Sequence, residues 1–87
     1  MSRELREYDD YVKRYFDGRK KAVVEKDKYD HLFFRHILDM PHTPFSVKLK
    51  IFARFFELAE ERKGTTDFRF LSATSAIYDV LSEEKFI

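Results

Sequence analysis

Four residues in the chain break a helix or close a tight turn with ease: Gly18, Pro41, Pro44 and Gly64. A β-sandwich or barrel needs a turn signal roughly every 8 to 12 residues, far more than two Gly and two Pro supply. The long stretches between these four positions must therefore be regular, and apolar spacings of three and four residues make them helical. The expectation is an all-α, compact four-helix domain spanning residues 1–87, with helices near 2–17, 27–40, 44–63 and 66–82.

In the first segment, Leu5, Tyr8, Val12, Tyr15 and Phe16 form one stripe, with Ser2 placed to cap its start. Asp17-Gly18 reads as its stop, because glycine tolerates the left-handed conformation just past a helix. The following stretch, residues 20–26, is ambiguous among helix, strand and loop, since Ala22-Val23-Val24 is mildly β-prone. The second helix places Tyr29, Leu32, Phe33, His36, Ile37 and Met40 on one stripe and leaves Phe34 and Leu38 as a second ridge, four residues apart. Pro41 limits it, and Thr43 with Pro44 reads as the cap and first position of the third helix.

The third helix constrains the packing most. Phe45, Val47, Leu49, Ile51, Phe52, Ala53, Phe55, Phe56, Leu58 and Ala59 cover most of its circumference, with Lys50, Arg54, Glu57 and Glu61 in a narrow polar gap. A helix that is apolar nearly all round sits centrally or is covered by a partner. Gly64 ends it, and Thr65-Thr66-Asp67 opens the fourth helix, where Phe70, Ala73, Ile77, Val80 and Leu81 form the inward stripe and Phe68, Leu71 and Tyr78 a flank. Phe52, Phe55, Phe56 and Ile77 are the expected core, and Phe56→Ala is expected to cost about 3–5 kcal/mol. Phe86 and Ile87 end a tail able to dock on it.

Composition narrows the function. The chain has no cysteine, which excludes thiol catalysis, Cys-ligated zinc and disulfide scaffolding and suits a reducing, cytoplasmic setting. No apolar run exceeds three residues, so no membrane-spanning helix and no membrane partner are predicted. Seventeen Lys and Arg against sixteen Asp and Glu leave a net charge of +1, too little to draw a polyanion except through a local patch. One such patch is Lys13, Arg14, Arg19, Lys20 and Lys21, interleaved with Tyr11, Tyr15 and Phe16, which together offer phosphate contacts and stacking surfaces. The fourth helix, with Arg69 against Asp79, has the wrong polarity to read DNA.

Chemistry has little to stand on. Asp27 with His31, and His36 with Asp39, have two-ligand helical spacing, but the two histidines point about 140° apart and no metal or cofactor site results. His36, within the apolar stripe, is expected to be packed and hydrogen-bonded. Ser72, Ser75 and Ser82 lie in no nucleophile elbow, so no enzyme is expected. What remains is apolar surplus, including ten Phe and five Tyr in a chain that is 44% hydrophobic. The sequence therefore reads as a small non-catalytic protein–protein interaction module, an inhibitor or regulator of a larger protein or a homodimer. Its expected interface is Phe34 and Leu38 with the neighbouring His31 and Arg35. The alternative is a nucleic-acid contact through the basic and aromatic patch.

Overall fold

The structure is a computed structural model that describes residues 3–65 and 69–85, with side chains from Tyr8 onward. It contains α1 (Arg3–Lys21), α2 (Lys26–Leu38), α3 (Phe45–Glu61) and α4 (Arg69–Glu83), and no strand among the described residues. The predicted all-α four-helix architecture is the observed one. The Ser2 cap, the Leu5 side chain, the Thr66-Asp67 cap, Phe68 and the Phe86-Ile87 tail lie outside the described residues.

Side-chain pairings give the helix directions. Arg19 meets Asp30 while Tyr15, one turn earlier, meets Phe33 and Phe34, so α1 and α2 run in opposite senses. Lys48 reaches Leu38 and Phe52 meets Phe34, which sets α3 against α2 in the same way. Arg62 lies over Phe70 and Phe56 meets Tyr78, so α4 reverses α3. The closest backbone association is α2 with α4, where Ser72, Ser75 and Ala76 are small enough to let the helices approach. α3 touches all three other helices, as expected of a central element, and α2 does so as well.

The core is continuous. Tyr15, Phe34, Ile37, Ile51, Phe52, Phe55, Phe70, Ile77 and Val80 are its most enclosed apolar members. Tyr15 is the hub, its ring 5.3 Å from Phe33 and Phe34, 5.4 Å from Phe55 and 4.9 Å from Phe16. Edge-to-face contacts of this kind add to the burial itself. The predicted stripe of α4 is the buried one, and Tyr8, Val12, Tyr15 and Phe16 face inward on α1 as their spacing requires.

Four expectations are corrected. First, Gly18 does not end α1, which continues to Lys21, and residues 22–25 form a short turn rather than a strand. Gly18 is there for close approach: a Cβ on it would lie 2.3 Å from Tyr29 Oη, the hydroxyl that donates to the Tyr15 carbonyl at 3.0 Å. Gly64 is the true stop, with φ of +85°. Second, Pro44 is itself the N-cap of α3 at φ −60° and ψ 147°, so Thr43 does not cap it.

Third, α2 is rotated relative to the expected stripe. Phe34 is 0% exposed and Leu38 8%, so the supposed outer ridge is core, whereas Leu32 and His36 face solvent. The cause is Asp30, which Tyr15 and Arg19 draw inward, carrying Phe34 and Ile37 with it. Fourth, Phe56 is half-buried against Tyr78, and the fully enclosed phenylalanine beside it is Phe55.

Two stability measurements check this packing. Phe55→Ala is expected to cost about 3–5 kcal/mol in urea unfolding, with Phe56→Ala clearly less costly. Gly18→Ala should destabilise the wild type, although an open mid-helix glycine would gain about 1 kcal/mol from alanine. In a Tyr29→Phe background, where the nearest clashing atom is gone and ring carbons at 3.1 and 3.3 Å remain, the same substitution should cost less, and equal effects in both backgrounds would contradict the contact.

Candidate functional site

The most consequential polar group is buried. Asp30 on α2 is almost fully enclosed, and its Oδ1 accepts from Tyr15 Oη at 2.7 Å and from Arg19 Nε at 3.0 Å. A carboxylate so enclosed is tolerated when paired and hydrogen-bonded, and Arg19 supplies the charge. Its Oδ2 has no hydrogen-bond partner among the described residues. Burial, followed by the hydrogen bond to Asp30, raises the Tyr15 phenol well above its ordinary pKa, and burial with the Asp30 charge raises Tyr29.

This arrangement reassigns the basic patch. Lys13, Arg14, Lys20 and Lys21 are exposed on the outer face of α1, but Arg19 is committed to Asp30. Of the aromatic partners, Tyr15 is sealed in the core, Phe16 packs on Phe70 at 5.1 Å, and Tyr11 lies under the Arg14 guanidinium at 5.4 Å. The cations remain on the surface, while the stacking surfaces are largely in use.

The four predicted interface residues serve the fold in the same way. Phe34 and Leu38 are core. His31 Nε2 lies 3.3 Å from Glu83 Oε2, and Arg35 joins Asp39, Glu83 and Glu84, fastening the end of α2 to the end of α4. Between these helices a cleft of about 440 Å³ is lined by Asp27, Asp30, His31, Ser72, Ser75 and Asp79. It holds hydroxyls, an imidazole and carboxylates, yet the imidazole engages Glu83 and neither serine. Among the described residues no group of three or more His, Asp or Glu side chains is placed to hold a metal ion.

Sequence reasoning missed two further clamps. Arg54, assigned to the solvated gap of α3, is only 11% exposed and reaches α1, with Nε 2.5 Å from Asp9 Oδ1 and Nη2 3.3 Å from Oδ2. The hydrogen bond it donates to Asp9, acting against burial, raises its pKa. Lys48, buried in α3, donates Nζ to the Leu38 carbonyl at 2.5 Å and so satisfies an orphan acceptor at the end of α2. Neither pairing is local, so no spacing announces it.

The apolar surplus emerges elsewhere, on α3 and α4. Phe45, Leu49 and Ala53 are exposed along one side of α3, which continues into half-buried Phe56. Phe56 meets Tyr78 at 5.3 Å, and Tyr78 and Leu71 are 56% and 59% exposed on α4. Phe56, Leu71 and Tyr78, with Ala59 and Phe70, line a groove of about 480 Å³ whose far end carries Arg62 and Lys63. Comparison with protein-family models, with curated proteins and with solved structures yields no match to this chain.

The buried phenol makes a pH prediction. Its folded pKa lies above the unfolded value of about 10, so its contribution is complete below pH 10 and lost as pH rises beyond it. Tyr15→Phe should cost about 1–2 kcal/mol near neutrality and then lose less stability than wild type as pH rises from about 10 to about 12. Parallel losses in the two proteins, measured as urea midpoints, would contradict the assignment.

Proposed function

We propose that this chain is a non-catalytic protein-binding module, an inhibitor or regulator of a larger protein, and that it binds through the apolar surface shared by α3 and α4. The observation that carries this reading is the exposure of Phe45 and Leu49 on the face of α3 that carries half-buried Phe56, together with exposed Leu71 and Tyr78 on α4, where Tyr78 meets Phe56. Large side chains grouped in this way mark association surfaces, whereas scattered ones do not. The absence of cysteine suits work in the cytoplasm, and no described helix is long and apolar enough to cross a membrane.

The shape of the surface favours an amphipathic helix as occupant. A groove between two antiparallel helices receives apolar anchors at helical spacing, and Phe56, Leu71 and Tyr78 provide its walls. Arg62 and Lys63 at the groove's end are paired with Glu61 and Glu60, so the anchoring of such a helix is apolar. A non-catalytic role is supported by the engagement of His31 with Glu83. The nucleic-acid alternative keeps Lys13, Arg14, Lys20 and Lys21 but lacks Tyr15 as a stacking surface.

The test uses Leu49→Asp with Leu71→Asp, two exposed positions at which the fold, followed by circular dichroism, should be unaffected. Proteins retained by immobilised wild type and lost by the double variant support the reading, and a matching helical peptide from such a protein should bind wild type alone. A mass by light scattering that halves in the variant would instead identify a second copy as the occupant. Identical capture by both proteins, or capture by neither with a monomeric mass, overturns it.

A further inference from the structure

The helix directions gather charge at one end of the molecule. The C-terminal ends of α1 and α3 and the N-terminal ends of α2 and α4 meet there, as the stacking of Arg62 over Phe70, Phe70 on Phe16 and Arg69 over Phe16 shows. Lys20, Lys21, Lys28 and Arg69 are exposed at this pole, with Glu25 and Asp27 exposed among them. At the opposite pole Asp9, Asp39, Glu83 and Glu84 are each paired with Arg54 or Arg35. Around the turn between α1 and α2, Lys20, Lys21, Lys26 and Lys28 outnumber Glu25 and Asp27.

From the middle of the basic pole the turn 22–25 presents Val23, which is fully exposed, and the partly exposed Val24. Both ends of this turn are fastened. Lys26 Nζ donates to the Arg19 carbonyl, and Tyr29 N donates to the Glu25 carbonyl at 2.9 Å. The two valines are thus held outward at the tip of a helical hairpin, beside Lys20, Lys21 and Lys28 and next to Glu25. Nothing within the described fold covers Val23.

We propose that this pole docks on an anionic lipid surface, with Val23 and Val24 entering the headgroup layer and Lys20, Lys21 and Lys28 facing the lipid charges. Anionic lipid is the favoured polyanion because the projecting side chains are aliphatic, while the aromatic rings that nucleic-acid stacking requires are sealed or engaged. Basic residues near such a surface each add attraction that salt screens, and the apolar tip adds a component that salt does not remove. The surface is separate from the α3–α4 groove, so the two readings stand or fall independently.

Co-sedimentation with vesicles of phosphatidylcholine, with and without phosphatidylserine, tests the proposal on the full chain. Binding should require phosphatidylserine and weaken as salt is raised. Val23→Ser with Val24→Ser should lower partitioning about tenfold, and Lys20→Glu with Lys21→Glu should abolish it, with helix content unchanged in both. Absence of binding to phosphatidylserine vesicles at low salt overturns the proposal. It is also overturned if the valine variant binds like wild type while single-stranded RNA competes for the lysines, which would make the pole a nucleic-acid surface.

Discussion

A tyrosine at the centre of a small core must find an acceptor for its hydroxyl, and here the rest of the packing follows from that need. Tyr15 donates to Asp30, and Asp30, once buried, needs the Arg19 guanidinium. Three residues on two helices thus fix one another. Arg19 can reach Asp30 only if α1 continues past Gly18, and Asp30 can face α1 only if α2 is turned to place Phe34 and Ile37 inside. The helical path through Gly18 and the rotation of α2 are two results of one hydrogen-bonded knot.

The aromatic ring of Tyr15 then organises the neighbouring layer. Its edge-to-face contact with Phe55 brings α3 into the same cluster, and Phe34 repeats that contact at 4.9 Å. α4 completes the core with smaller side chains, so that Ala73, Ala76, Ile77 and Val80 fill the space left by the rings. With the interior filled in this way, Phe45, Leu49, Leu71 and Tyr78 have no internal place and remain at the surface.

Helix number, order and approximate extent were legible because they depend on local signals: apolar period, Pro41 and Pro44, and Gly64 with its positive φ. The inward stripe of α4 was legible for the same reason. Gly18 misled because one residue type serves two purposes, and only the position of Tyr29 decides between them. The face of α2 was misjudged because a period assigns an aspartate to solvent, whereas Asp30 is drawn inward by partners 15 and 11 residues away. The surplus of apolar side chains was visible in composition. Its location was not, since Phe34 and Leu49 look equally spare until the helices are packed.

Two of the helices end in the same manner. Lys26, from α2, donates to the Arg19 carbonyl near the end of α1, and Lys48, from α3, donates to the Leu38 carbonyl at the end of α2. Each helix is completed by a cation supplied by its successor, placed where the helix dipole favours positive charge. Each of these two helix ends thus takes a donor from the segment that is synthesised next.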